Sequence, residues 1–121
     1  MPIDVPAIIC QQPRAIDGDT IACGNLAAHV RLLGIDAPEL PGHCRPGREC
    51  TPGDGFASTR SLAALLARGP VWIAANGHDR YSRTLARVTV VTSTARIDAS
   101  CHQLATGAAV RRYSRIGCRI I

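Results

Sequence analysis

The chain has 121 residues, 46% of them hydrophobic, with a net charge of +5 and a pI near 9.2. That length fits one compact domain over residues 1–121, and the apolar content excludes a disordered chain. No apolar run approaches the ~20 residues of a membrane span, and no basic segment followed by a hydrophobic run marks a signal peptide.

Residues 6–23, PAIICQQPRAIDGDTIAC, predict two strands meeting at a tight acidic turn at Asp17-Gly18, and Gly24-Asn25 supplies a second hairpin signal. AAHVRLLGI, 27–35, reads as a third strand. Residues 34–54, with four prolines, several glycines and the Cys44/Cys50 pair, read as an irregular loop. A helix is predicted over 54–70, with Asp54 as N-cap, an apolar stripe of Phe56, Leu62, Leu65 and Leu66, and a stop at Gly69-Pro70. VWIAA, 71–75, reads as a strand ended by Asn76-Gly77, and TLARVTVV, 84–91, as another beyond the polar stretch HDRYSR. DASCHQLATG, 98–107, predicts a short helix capped by Asp98, and AAVRRY, 108–113, a last edge strand. Trp72, one of only four aromatic residues, is expected in the core. Three meander strands, a helix and two more strands follow the order of an OB-fold, so the expected class is α+β, a five-stranded OB-type barrel with two to three helices.

All fourteen basic residues are arginine. Codon bias of a GC-rich genome explains that, and so does a surface that pairs with phosphates, for which the planar guanidinium suits bidentate contact. Six cysteines without paired C-x-x-C spacing favour disulfides over metal. Chain order suggests Cys10–Cys23 across paired strands, Cys44–Cys50 stapling a loop, and Cys101–Cys118 tying the last helix to the tail. Disulfides imply an oxidising compartment, periplasmic or extracellular. Six reduced, buried thiols are the alternative.

Four of the nine acids, Asp17, Asp19, Asp36 and Glu39, fall in two clusters at strand ends. Taken singly, each is what turns and helix caps use. If the strands pair, Asp19 and Asp36 converge, and such convergence is costly unless a cation offsets it. Hard oxygen ligands select calcium or magnesium over zinc. His29, His43, His78 and His102 show no metal spacing and carry no assigned role.

IDGDT, VRLLGIDAPE, DRYSRTLARV and the late LATGAAV together resemble the staphylococcal (thermonuclease-like) nuclease family, over roughly Pro13 to Tyr113. The resemblance implies an OB-type barrel and calcium-dependent hydrolysis of DNA and RNA phosphodiesters to 3′-phosphate products. It implies that Asp19, Asp36 and the backbone carbonyl of Ala37 hold Ca2+, although the family often has threonine in place of Ala37. Glu39 falls on the position of the general base, Arg31 and Arg83 on the two arginines that hold the scissile phosphate, and Tyr81 and Tyr113 on tyrosines of the nucleotide pocket. The cysteine-bracketed loop 44–50 departs from the staphylococcal form. The expected partners are DNA and RNA as substrates, with no membrane contact and nothing that demands more than a monomer. Two rivals stand beside this reading: a catalytically inactive module of the same fold that binds nucleic acid or protein, and a small secreted calcium-binding protein whose acids are structural.

Overall fold

A computed structural model describes residues 7–44, 46–47, 49–113 and 116–118. The strands are β1 (Ala7–Ile9), β2 (Arg14–Asp17), β3 (Thr20–Ala22), β4 (Val30–Leu32), β5 (Ile35–Asp36), β6 (Val71–His78), β7 (Thr84–Val91), β8 (Arg96–Asp98) and β9 (Val110–Arg111). Helix α1 (Gly55–Leu66) lies between β5 and β6, and α2 (Ala99–Ala105) between β8 and β9.

Seven strands form one sheet in the order β1-β6-β7-β4-β3-β2, with β8 added beside β7, while β5 and β9 pair separately. Every pairing is antiparallel except β4 with β7. The two ends of the order, β1 and β2, are consecutive in the chain. Between them Gln12 adopts a φ of 50° and Pro13 has no N–H to donate, so the strand path breaks there. The ladders define a mixed α+β fold, and among the described residues they close no barrel.

Alternation sets the core. On β7, Ala86, Val88 and Val90 are fully buried, and on β6, Val71 and Ile73 face them. With Val71 and Ile73 inward, the two-residue period turns Trp72 outward, and it is 37% exposed rather than filling the core. Helix α1 buries Gly55, Ser58, Leu62, Leu65 and Leu66, a stripe that leaves Phe56 in solvent. Its first residue explains the small start. A Cβ at Gly55 would overlap the backbone carbonyl of Glu39, so the helix is seated directly against the chain that carries that acid.

Asp54 caps α1 through the Ala57 N–H, and Asp98 caps α2 through the Cys101 N–H, both as the sequence predicts. The other boundaries move. Helix α1 ends at Leu66, before Gly69-Pro70, and β6 continues through Asn76-Gly77 to His78 by a register shift instead of stopping there. The predicted third strand divides at Leu33-Gly34 into β4 and β5, β8 forms where none is expected, and the last strand pairs with β5. Three disulfides join Cys10–Cys23, Cys44–Cys50 and Cys101–Cys118, with Cα separations of 5.1, 6.2 and 5.5 Å. Among the described residues no helix is long and apolar enough to cross a membrane.

Gln103, fully buried on α2, ties the helices to the β2–β3 turn. Its Nε2 donates to the carbonyls of Gly18 at 2.7 Å and Ser58 at 3.0 Å, and its Oε1 accepts from the Ser61 hydroxyl at 2.7 Å. The turn is also packed from outside, since a Cβ at Gly18 would overlap the Ser58 hydroxyl. Gln103→Leu preserves side-chain size but removes the Gln103 donor from the Gly18 carbonyl, the second donor from the helical Ser58 carbonyl, and the acceptor of the Ser61 hydroxyl. It is expected to lower stability by about 2–3 kcal/mol in chemical denaturation.

Candidate functional site

The residues of the two acidic clusters meet at one end of β4. The β3–β4 ladder pairs Thr20 with Arg31, which brings the neighbouring Asp19 beside the arginine. Arg31 Nη1 lies 3.0 Å from Asp19 Oδ2, and Nη2 donates to Asp36 Oδ1 at 3.0 Å. The three side chains are only 6%, 5% and 1% exposed, so one guanidinium bridges two carboxylates inside the protein. The remaining oxygens are also occupied. Asp19 accepts from the Thr20 hydroxyl and from the Ala37 N–H, each at 2.9 Å. Asp36 Oδ2 accepts from the Thr51 hydroxyl at 2.7 Å and faces Arg112 Nη1 at 3.4 Å.

Buried ions cost several kcal/mol each unless paired, so the three groups fix one another. The balance is nevertheless incomplete. Burial pushes the Asp19 carboxyl above its ordinary value; Arg31, the Ala37 N–H and the Thr20 hydroxyl oppose that rise without cancelling it, and the Asp36 charge adds to it. Arg31 Nη1 is in ionic contact with Asp19, yet among the described residues it has no hydrogen bond of acceptable geometry. Burial thus outweighs the partners of Asp19, while Arg31 Nη1 meets its carboxylate as an ion pair.

Beside this cluster a cavity of about 310 Å³ opens, lined by Ile16, Asp17, Thr20, His29, Glu39, His43, Tyr81 and Arg83. Glu39, Tyr81 and Arg83 thus share one hollow, with Thr20 standing between it and Asp19. Asp79 holds the Tyr81–Arg83 segment in place. Its Oδ1 accepts the N–H groups of Tyr81 at 2.8 Å and Arg83 at 3.0 Å, and its Oδ2 accepts Arg83 Nε at 2.7 Å. The Arg83 guanidinium lies 5.5 Å from the Tyr81 ring. Tyr113, 73% exposed, stands on the other side of Arg31, its ring 5.9 Å from that guanidinium and 5.4 Å from Arg112. The structure therefore unites Asp19, Arg31, Asp36 and the Ala37 backbone in one cluster, and Glu39, Tyr81 and Arg83 in the adjoining cavity. Each arginine is held by carboxylates, and Arg83 lines the cavity whereas Arg31 is not among its lining residues.

The donor set suits a hard cation. Two buried carboxylates share the Arg31 guanidinium, Arg112 also approaches Asp36, and both carboxylates offer hard oxygen donors at one point. Asp19, Asp36 and the Ala37 backbone are oxygen-bearing groups at this point of the fold.

Several contacts lie outside the sequence reading. His43 Nδ1 lies 2.9 Å from Asp17 Oδ1, and with His29 it lines the cavity. Thr51 and Arg112 add contacts to Asp36 from the loop and from the chain after β9. Only Asp79 carried a readable signal: an aspartate two residues before Tyr81 in a polar turn is the spacing of an Asx turn.

No family model matches the chain. Over 82 residues, 65% of this chain, it is 38% identical to an uncharacterized endonuclease of Haemophilus influenzae. The chain spans 40% of that protein's length.

Burial raises the Asp79 carboxyl, but the N–H groups of Arg83 and Tyr81 and the Arg83 guanidinium outweigh it, and the net position is below the ordinary 3.8. A lowered carboxylate contributes stability above its unfolded value and loses it as pH falls through its folded value. Asp79→Ala is therefore expected to cost about 1–2 kcal/mol at neutral pH. That difference should shrink in denaturation curves taken progressively below 3.8.

Proposed function

We propose that the protein is a nuclease of the staphylococcal type, a calcium-dependent phosphodiesterase that cleaves DNA and RNA to 3′-phosphate products. The observation that carries this reading is the joint lining of one cavity by Glu39, Arg83 and Tyr81 beside the buried Asp19–Arg31–Asp36 cluster. The likeness to a protein named an endonuclease supports the reaction class. The meander β2-β3-β4, the parallel β4–β7 pairing and the antiparallel β6–β7 pairing support an OB-type reading of the fold.

Hydrolysis adds one water across the bond between phosphorus and the 5′ oxygen. Charge builds on the phosphoryl oxygens, so the protein's work is positioning and charge stabilisation. Glu39, seated by the close contact of its carbonyl with Gly55, accepts a proton from the attacking water. Arg83 offers its guanidinium to the phosphate, and Asp79 keeps that side chain directed by binding its Nε. Tyr81 and Tyr113 give flat faces for bases or sugars. Arg31 is the second guanidinium assigned to the phosphate; calcium, held by Asp19, Asp36 and the Ala37 carbonyl, would supply positive charge to the cluster and polarise the phosphate. The protein acts as a monomer, and its disulfides suit a secreted or periplasmic setting.

Release of acid-soluble fragments from single-stranded DNA, with calcium and then with a chelator, tests the reading. Glu39→Gln is expected to reduce turnover by roughly a hundredfold to ten-thousandfold while leaving the fold intact. Arg83→Ala should fall far more than Arg96→Ala, an exposed arginine on β8. Absence of cleavage by folded, oxidised protein would instead indicate a module that only binds nucleic acid or protein.

A further inference from the structure

At the loop edge of the site, Glu39, Cys44 and Cys50 place one carboxylate oxygen and two sulfurs within 4.8 Å of one another. Among the described residues this is the one group of three or more such ligands that gathers so closely. Cys50 Sγ lies 4.0 Å from Glu39 Oε2, and the two sulfurs are joined to each other. The three bridges differ in access: Cys10 and Cys23 are 4% and 5% exposed, Cys101 and Cys118 are both half-buried, and Cys44 is exposed with Cys50 half-buried. A reductant reaches Cys44–Cys50 directly, and opening a bridge that spans six residues breaks no strand or helix.

We infer that reduction of Cys44–Cys50 creates a binding site for a thiophilic divalent cation, zinc or cadmium, held by the two thiolates and the Glu39 carboxylate. A dithiol supplies two electrons and two protons and becomes a disulfide, while the Cys44–Cys50 bond breaks to two thiols. Binding of the cation forms two metal–sulfur bonds and releases both thiol protons to solvent. Ligand atoms around tetrahedral zinc stand about 3.5–3.8 Å apart; Cys50 Sγ and Glu39 Oε2 are already near that spacing, and the two sulfurs reach it by separating once their bond is reduced. Soft sulfur separates this site chemically from the oxygen-only pair Asp19 and Asp36. The metal site stands on geometry alone. Its consequence rests on the proposed nuclease reading: a Glu39 carboxylate bound to the cation is not available to take a proton from water, so reduction with zinc switches the enzyme off.

The test is a cadmium titration of the full chain, reduced with a dithiol and freed of it without oxygen, followed by the ultraviolet thiolate-to-metal charge-transfer band. Native protein is expected to bind one cadmium per chain when reduced and to show no band when oxidised. Cys44→Ser/Cys50→Ser should lose the band although its other four cysteines remain. Glu39→Gln should keep the band with affinity lowered at least tenfold, since even residues that only orient a metal ligand are worth roughly ten- to a hundredfold. An undiminished band in the double serine variant, or unchanged affinity in Glu39→Gln, would overturn the site. So would absence of a band from reduced native protein whose Cys44 and Cys50 both accept an alkylating reagent. None of these readings depends on cleavage, so the metal site and the nuclease activity stand or fall separately.

Discussion

The contact on which the rest of the site depends is the bridge of Arg31 between Asp19 and Asp36. Three charges that each resist burial are placed together by a turn, a central strand and a strand end, and none can be removed without stranding the others. Arg31 is buried because β4 lies between β3 and β7, with neighbours on both sides and no open edge. The neighbouring features follow from that placement. The Ala37 N–H locks Asp19 to the chain leading to Glu39, Thr51 ties Asp36 to the long loop, and Arg112 draws the chain after β9 toward the same carboxylate.

Around this ionic centre the apolar structure supplies rigidity. Gln103 and Ser58 hold the β2–β3 turn from the helical side, and the close seating of Gly55 on the Glu39 carbonyl fixes the start of α1 against the loop. The cavity beside the cluster is lined by residues from four separate parts of the chain: the β2–β3 turn, the segment before β4, the loop after β5 and the turn before β7. Such a hollow exists only when the whole sheet is formed. The Asp79 turn has a different character, since it organises Tyr81 and Arg83 through contacts within five residues.

Local chemistry was legible in the sequence. Asp54 and Asp98 announce their helices, the alternation over 84–91 announces β7, and the cysteine order matches the three bridges. Convergence of Asp19 with Asp36 was legible as a consequence of strand pairing. What was not legible depends on tertiary placement. Trp72 and Phe56 are apolar but fall on the wrong phase of a strand and a helix, and their neighbours took the core. The β5–β9 pair joins segments far apart in sequence, and no local pattern announces it. Gln103 reads as an ordinary polar residue of a short helix, and only burial among three partners reveals its structural role. Nothing in the residues around Arg31 marks it as buried until its two carboxylate partners are in position.

Under the proposed calcium reading, Arg31 and the cation are alternative partners of Asp19 and Asp36. The most direct measurement is the calcium dependence of the thermal unfolding midpoint for the native protein and for Arg31→Ala. Removing the guanidinium takes the cationic partner from Asp19 and weakens the pairing of Asp36, which keeps Arg112, at a cost of about 3–5 kcal/mol. Calcium is then expected to raise the midpoint of Arg31→Ala by much more than it raises that of the native protein. Equal shifts, or no shift in either, would contradict the exchange of one positive partner for another at Asp19 and Asp36.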